Sequence, residues 1–364
     1  VTFEIFENLN KKKANRYEYI FPNFNYEKNL NDSNEINGEL TLNTRGYNKN
    51  YNSNIDESIL INDIVLNSFT YADSAIDGLQ NNYKLLLRNI NSSSDNSTNF
   101  RQGEDLKLLS TVIFESILPL KKENEKFNNY LTPKFSARYS PNSTKNNSNS
   151  EKTIVYENIY SLDRIDDTAV EGGESLTLGL EYSSRNKKDE DFFNFSIANI
   201  LRFNENSDLP KINSTHDKRS DFIGSLEIIP SKFFDLSYKF ALDNKLESSK
   251  YDLIKTNINI NNFITSFEFL EEDNLLNESS YLKNISKYKF SDNYSISFEA
   301  SKNLDKNITD YYNLIYEYEN DCLTAAIEYN KSYYIDGDLK PDENIMFSIK
   351  IIPFGKISSP SLTK

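Results

Sequence analysis

Strict alternation of apolar and polar residues is the feature that most limits the folds open to this chain. Between residues 308 and 351 the alternation occurs in three successive stretches, 312–318, 323–329 and 345–351. A repeat of two residues is that of a β-strand with one apolar face, whereas an amphipathic helix repeats every ~3.6 residues. The polar break at Asn320 and Asp321 predicts a tight turn between the first two strands.

The same alternation recurs along nearly the whole chain. It is clearest where Leu176, Leu178 and Leu180 are separated by Thr177 and Gly179. We find about 18 to 20 such segments, one of them over residues 153–160, and no helical repeat longer than about two turns. The sequence therefore predicts an all-β fold of antiparallel strands.

The connections between the predicted strands alternate between short turns and longer polar loops. The longer ones include residues 91–103, 183–191 and 204–220. The segment 141–152 is built largely from Ser, Asn, Lys and Thr, so it has no apolar face to bury. We predict that it is a mobile loop outside the membrane. Alternation of short and long connections is typical of outer-membrane β-barrels.

Membrane-crossing helices are not expected, because no apolar run of about 18 residues occurs. The nearest candidate, residues 106–120, is interrupted by Lys107 and Glu115. Barrel strands need only ~9 to 11 residues with one apolar face, so a mean hydropathy of -0.65 is compatible with a membrane barrel. A soluble β-sandwich is the alternative, but it would usually carry more turn residues than the 10 Gly and 9 Pro present.

Tyrosines near the ends of predicted strands favour the barrel, because membrane interfaces accommodate amphipathic rings. They are Tyr17, Tyr130, Tyr139, Tyr182 and Tyr329. The predicted fold class is therefore an all-β, antiparallel transmembrane outer-membrane β-barrel.

Residues suited to catalysis or metal binding are scarce. His216 is the single histidine and lies in a polar loop, so we predict that it is solvated. The carboxylate runs 189–191 and 271–273 lack the spacing and the turn glycine of an EF-hand. We predict no catalytic residue, no metal site and no cofactor. The net charge of -14 also argues against a nucleic-acid partner, which would require a basic surface.

Two stretches resemble a known family. The first has an Asn-x-aromatic-x-x-Asp-Arg pattern, an acidic spacer and a glycine-led strand. Its characteristic positions are Asn158, Leu162, Asp163, Arg164, Glu171, Gly172 and Gly173. It resembles the lipopolysaccharide-assembly protein LptD family, also called organic solvent tolerance protein. Residues 316–323 are similar to that family's strand, acidic turn and cysteine, residues 347–354 to its closing strand, and the similarity covers most of residues 16–355.

The resemblance implies that residues 1–355 are the C-terminal part of an LptD-like barrel, with residues 356–364 as a polar tail. Val1, Phe3 and Ile5 already alternate with polar residues, so we expect a partial barrel that lacks its N-terminal strands, signal peptide and periplasmic domain. By resemblance the protein is not an enzyme and inserts lipopolysaccharide into the outer leaflet of a Gram-negative outer membrane. The implied partners are lipopolysaccharide, an LptE-like lipoprotein plug, a periplasmic Lpt bridge and outer-membrane lipid.

The resemblance also suggests particular residues. Many members of the family carry a cysteine pair and a Trp where this chain has Cys322 followed by Leu323. It therefore implies one disulfide from Cys322 to a cysteine outside the chain. The closing strand would form one side of a lateral gate, with Ile345, Phe347, Ile349, Ile351 and Pro353 as candidates. Pro353 has no N–H to donate and could weaken the gate, or it could simply end the strand.

Other functions stay open for a chain with this pattern. A general porin or a substrate-specific channel would be a complete barrel around an aqueous path. A surface adhesin would place its function in residues 141–152 and the other loops.

Overall fold

The computed structural model describes residues 1–7, 17–29, 38–51, 55–71, 76–97, 100–148, 150, 152–166, 168–273, 278–333, 341–351, 355–358 and 362–363. The chain divides into two compact units. Unit 1 comprises residues 1–123, 129–182 and 196–223, and unit 2 comprises residues 124–128, 183–195 and 224–364.

The described residues form 21 β-strands and a turn of 3-10 helix at Ile212–Ser214. The first strands are β1 Thr2–Glu7, β2 Tyr17–Asn29, β3 Gly38–Tyr51, β4 Asp56–Tyr71, β5 Gln80–Asp95, β6 Gly103–Ile117, β7 Leu120–Glu123, β8 Phe127–Ser140, β9 Gly173–Asn186, β10 Asp191–Arg202 and β11 Phe222–Ser231. The remaining strands are β12 Phe234–Leu242, β13 Ser249–Ile260, β14 Phe263–Asp273, β15 Glu278–Lys289, β16 Tyr294–Asn303, β17 Ile308–Glu319, β18 Leu323–Ser332, β19 Glu343–Ile351, β20 Gly355–Ser358 and β21 Leu362–Thr363.

Strands that follow one another in the chain pair in antiparallel fashion, from β2–β3 through β18–β19 wherever a register is defined. Strand β6 pairs with β8, because β7 is a short strand between them. The predicted all-β antiparallel fold is thereby confirmed. No helix in the described part of the chain is long and apolar enough to cross a membrane.

In unit 2 the strand register gathers apolar side chains on one face, the apolar face of that unit. Phe298 lies opposite Leu314, and Leu314 lies opposite Tyr329. Ile327 lies opposite Phe347 in the next pair. These side chains are exposed, with relative exposures of 41% for Phe298, 42% for Leu314 and 47% for Phe347. A broad exposed apolar surface of this kind marks contact with another apolar phase, here consistent with lipid.

The opposite, polar face of unit 2 carries a repeated arrangement of side chains. Glu268 accepts hydrogen bonds from Lys255 at 2.6 Å and from the Tyr281 hydroxyl at 2.6 Å. Glu299 is held in the same way by Lys283 at 2.8 Å and Tyr311 at 2.7 Å. In both cases the lysine comes from the preceding strand and the tyrosine from the following one.

Aromatic residues lie at both ends of the apolar face of unit 2. Near the β17–β18 turn, the Tyr294 ring lies 6.2 Å from the Tyr316 ring and 5.0 Å from the Tyr318 ring. At the other end of β17, the Tyr312 ring lies 6.1 Å from the Tyr329 ring and 5.9 Å from that of Tyr333. Six residues of strand separate Tyr312 from Tyr318, which is ~20 Å of rise. Two aromatic rows about this far apart are typical of the two interfaces of a membrane barrel.

Unit 1 also has a polar and an apolar face, but there the polar face is buried. The buried charged residues of its strands include Asp63, Arg88, Glu115, Arg138 and Arg202. The opposite face exposes large apolar side chains, among them Leu60, Ile64, Leu87, Leu108 and Val112. The buried face also holds an apolar cluster of Ile59, Ile61 and Ile90, so the charged residues beside it need partners.

Two predictions about local structure are wrong. Residues 153–160 form turns instead of a strand, because the Asn158 side chain accepts a hydrogen bond from the Val155 N–H at 3.0 Å and stabilises a local turn. The loop predicted over residues 91–103 is shorter, since β5 continues to Asp95 and β6 begins at Gly103. The described residues of 141–152 form a loop, as predicted, although Thr144 and Asn147 are buried, and the mobility of the loop stays a prediction. Composition does not reveal this burial, because polar side chains can be buried when they form hydrogen bonds.

Candidate functional site

Two long connections in unit 1 cover its polar face. Residues 141–172 link β8 to β9, and residues 203–221 link β10 to β11. We call these two segments together the cap. Their buried apolar side chains include Ile154, Ile159, Ile165, Val170 and Leu209.

The two segments of the cap bind each other through backbone and side-chain hydrogen bonds. The Asn147 N–H donates to the Asp208 carbonyl at 2.7 Å. The Asn206 amide donates to the Thr144 hydroxyl at 2.9 Å, and the Ile154 N–H donates to the Asn213 side chain at 3.3 Å. The cap is therefore one packed layer, although its segments are separated by two strands in the sequence.

A buried cluster of charged residues joins the cap to the strands beneath it. Glu171 forms a bidentate pair with Arg164, with both oxygens 2.5 Å from guanidinium nitrogens. Arg202 Nη2 lies 2.6 Å from Glu171 Oε1, and Arg138 Nε lies 3.9 Å from Glu171 Oε2. Arg164 and Glu171 are 1% exposed, Arg138 5% and Arg202 6%. The Glu171 carboxylate thus forms ion pairs with three guanidinium groups.

The remaining guanidinium donors bind backbone carbonyls of the cap. Arg138, from β8, donates to the carbonyls of Leu162 at 2.9 Å and Ser161. Arg202, from β10, donates to the Thr215 carbonyl at 2.6 Å. Irregular backbone that is buried must find such partners, because an unpaired buried carbonyl is costly. The arginines of the strands therefore replace the hydrogen bonds that a strand ladder would have supplied.

Arg164 completes the cluster from within the cap. It donates to the Ile159 carbonyl at 2.8 Å and to the hydroxyls of Thr177 and Ser175 at 3.1 Å each. The two hydroxyls belong to β9, so Arg164 binds the cap and the strand at once.

The charge state of Glu171 follows from two opposing effects. Burial by itself disfavours the carboxylate, but Arg164, Arg202 and Arg138 together hold the pKa of Glu171 well below its usual value. The carboxyl group is therefore ionised throughout the physiological range. Without this carboxylate, three buried guanidinium groups would face one another.

A second ion pair holds the cap near β4 and β5. Arg88 binds Asp63 with two hydrogen bonds of 2.8 and 2.9 Å, and its third nitrogen donates to the Ala169 carbonyl at 3.1 Å. Arg45 also binds Asp63, at 2.9 Å. As in the Glu171 cluster, an arginine on a strand binds both a carboxylate and a backbone carbonyl of the cap.

Gly179 allows the cap to approach β9 closely, and Gly172 allows two stretches of the cap to approach each other. A Cβ on Gly172 would lie 2.2 Å from the Asn142 carbonyl oxygen, and one on Gly179 would lie 1.9 Å from the Tyr160 hydroxyl. Gly173 has a φ of 87°, a left-handed conformation that favours glycine. These positions require the absence of a side chain for steric reasons.

Comparison with known proteins decides the family. The family model described as "LptD: LPS transport system D" matches residues 6–300. The chain belongs to this LptD family. Its antiparallel strands with one exposed apolar face are those of an LptD outer-membrane β-barrel, as predicted.

Other comparisons add little to this result. Two engineered variants of the porin of Rh. blastica are similar to the chain, with 10% and 9% identity and TM-scores of 0.30 and 0.32. The similarity covers 85% and 93% of this chain and 92% and 97% of the porin chains. A search of curated proteins finds no match.

The structure brings the predicted LptD motif together in the cap. Arg164 and Glu171 pair directly, and the Gly172 N–H donates to Thr144 at 2.9 Å. The side chain of Asp163 is exposed, and its carbonyl accepts a hydrogen bond from Lys152 at 2.8 Å. The Leu162 carbonyl accepts a hydrogen bond from Arg138, and the Asn158 side chain stabilises the turn that precedes Leu162 in the chain. Whether these residues serve transport stays a prediction.

The other predicted LptD site residues lie elsewhere. Cys322 is exposed in the turn after β17, and its disulfide to a cysteine outside the chain stays a prediction. The gate candidates in β19 are exposed apolar residues: Ile345, Phe347, Ile349 and Ile351. Pro353 lies outside the described residues.

Sequence reasoning does not single out the strand arginines. Arg88, Arg138 and Arg202 occupy polar-face positions in otherwise ordinary alternating strands. The alternation identifies the face on which each arginine lies. It does not identify the groups that Arg138 and Arg202 bind, because those groups belong to the irregular connections of the cap. No group of three or more acidic, His or Cys side chains that could hold a metal occurs in the described part of the chain.

Gly179→Ala is expected to loosen the contact between the cap and β9. The new methyl group would collide with the Tyr160 hydroxyl, and overpacking of this kind costs ~1–3 kcal/mol. In a Tyr160→Phe background the colliding oxygen is absent, so the same substitution should cost less. Chemical-denaturation midpoints of the four proteins of this double-mutant cycle test the contact. An equal cost of Gly179→Ala in both backgrounds would contradict it.

Proposed function

We propose that this chain is part of an outer-membrane translocon that inserts lipopolysaccharide into the outer leaflet of a Gram-negative bacterium through a laterally opening barrel. Membership of the LptD family over residues 6–300 carries the proposal. The two faces of the sheet support it, because lipopolysaccharide has a polar, anionic headgroup and apolar acyl chains. A polar path and an apolar exit are both needed, since burying an unpaired polar group in hydrocarbon costs several kcal/mol.

The cap argues against the alternative of a general porin or substrate-specific channel. Such a protein keeps its polar face open to water. In unit 1 the polar face is covered by the cap, and its buried arginines are paired with Glu171 or Asp63. A covered polar face suits a translocon that must exclude small solutes between transport events.

Strand β19 is our candidate for one side of the lateral gate. Among the described residues, nine pairs join it to β18, whereas its other edge has four pairs with β20 and two with β21. Fewer backbone hydrogen bonds make separation less costly. Ile345, Phe347, Ile349 and Ile351 would then present an apolar surface to the emerging acyl chains, with Pro353 following the strand. The division into a barrel portion, residues 1–355, and a tail, 356–364, stays a prediction.

Partners of the full translocon fit the same proposal. An LptE-like lipoprotein plug would lie against polar-face side chains such as Glu268 and Glu299. A periplasmic Lpt bridge would deliver the substrate through a domain outside this chain. Outer-membrane lipid would contact the apolar face.

The gate is tested by crosslinking in the full-length protein. One cysteine is placed in β19 and a second in the first barrel strand of the full-length protein. The control is a cysteine pair at Asn313 and Asn330, which face each other in the β17–β18 pair. We expect oxidation of the gate pair to stop lipopolysaccharide export and a reductant to restore it, while the control pair has no effect. Unchanged export with the gate pair fully crosslinked would refute the lateral gate.

A further inference from the structure

A cavity of about 400 Å³ lies in unit 1 between the ends of β5 and β6 and the cap. That volume is within the range of small-molecule sites, ~300–1,000 Å³. Three cationic side chains line it: Arg101 before β6, Lys107 in β6 and Lys145 in the cap. No acidic residue is among its described lining residues.

This charge distribution is unusual for the chain. Acidic residues outnumber basic ones by 55 to 41, and the neighbouring cavities of unit 1 follow that balance. One is lined by Glu104 and Asp105 without a cation, and another by Glu115, Glu157 and Glu181 with two lysines. A cavity with only cations therefore concentrates positive potential within an acidic protein, and such a site attracts anions.

The cations of the cavity are largely available to a ligand. Arg101 is exposed, and its guanidinium has no hydrogen-bond or ion-pair partner among the described residues. Lys145 Nζ lies 4.8 Å from the centre of the Phe100 ring, a cation–π contact that leaves its donors open. Lys107 is the exception, since its Nζ lies 3.3 Å from Asp105. Two of the three cations are therefore without a carboxylate.

The rest of the cavity offers hydroxyl donors above an apolar floor. Ser92 and Thr144 are buried at its wall, and Ser143 lies beside them. Thr144 Oγ1 accepts hydrogen bonds from Gly172 and Asn206, so its own O–H can donate. The floor includes Ile90 and Val170, both buried. An anionic group attached to a partly apolar molecule matches this lining.

We propose that the cavity binds a phosphate-bearing group. Two cations without a carboxylate, Arg101 and Lys145, line the same cavity. They suit a group of up to two negative charges with three acceptor oxygens, and a guanidinium can bind phosphate with two hydrogen bonds. The phosphate could belong to a phosphorylated lipid saccharide or be free phosphate. Its assignment to the headgroup of lipopolysaccharide rests on the proposed function, whereas the phosphate site itself does not.

The proposal is tested on the purified full-length protein in detergent, by titration with three probes. These are inorganic phosphate, a phosphorylated lipid saccharide and the same saccharide without its phosphate. The test variant is the double substitution Arg101→Gln and Lys145→Gln. The control is Lys122→Gln with Lys126→Gln, which removes two exposed charges outside the cavity.

We expect the test variant to bind the phosphorylated lipid saccharide about a hundredfold more weakly, because it loses two hydrogen bonds to a charged group and each is worth about one decade. The control should leave that affinity within about twofold, and the phosphate-free saccharide should bind more weakly to the wild-type protein. Equal weakening in the control, or no weakening in either variant, would overturn the site. If inorganic phosphate binds and the phosphorylated lipid saccharide does not, the phosphate site is supported and its assignment to a lipid headgroup is rejected. The crosslinking experiment tests the proposed function separately.

Discussion

Glu171→Gln is expected to release the cap from the polar face of unit 1. The substitution preserves the shape of the side chain but leaves Arg138, Arg164 and Arg202 buried without a negative charge. Removing one partner of a buried ion pair typically costs ~3–5 kcal/mol. The cap should become sensitive to limited proteolysis in the full-length protein, and cells that carry the variant should admit large antibiotics more readily.

Glu174→Gln is the matched control, since Glu174 is exposed only three residues away. It should leave both the protease pattern and the permeability unchanged. The idea fails if the two variants behave alike.

The pH dependence of cap protection provides a second readout. Because the pKa of Glu171 is lowered in the folded protein, its stabilising effect is present above the ordinary glutamate value of ~4.3 and is lost only as the pH falls through the lowered value. The wild-type cap should therefore stay protected down to that ordinary value and open in stronger acid. In Glu171→Gln this contribution to the pH dependence should be missing.

Phe298→Arg is expected to prevent stable insertion into a membrane. Phe298 lies at the middle of β16 on the apolar face of unit 2, between the two aromatic rows. An arginine facing lipid at the bilayer midplane costs ~2–4 kcal/mol. The measurement is the urea midpoint of the full-length protein folded into lipid vesicles.

Ser297→Arg serves as the control, because the neighbouring position points to the polar face. It should insert with a midpoint close to that of the wild type. If both arginines destabilise equally, the assignment of the two faces is wrong.

Most strands of this protein could be predicted from the sequence because their alternation is a local property. Strand β18 begins at Leu323 and β19 ends at Ile351, as the alternation over residues 323–329 and 345–351 predicts. The two faces also follow the alternation, since Leu314, Ile327 and Phe347 all lie on the exposed apolar face. A period of two determines the face of a side chain whatever the neighbouring strand is.

The cap could not be predicted, because its contacts are distant in sequence. Residues 153–160 alternate like a strand, yet Ile154 and Ile159 are buried in an irregular segment. The resemblance to the LptD family identifies Arg164 and Glu171 as motif positions, but it does not indicate that they bind each other. Arg138 and Arg202, from two different strands, looked like ordinary polar-face residues.

The sequence by itself therefore determined the all-β class, the two faces of each strand and the family. Only the tertiary structure decided that one polar face is covered, and by which residues. The reason is physical: alternation depends on neighbours two residues apart, whereas the buried Glu171 carboxylate is stabilised by Arg164 together with Arg138 and Arg202, and the last two lie more than thirty residues from it.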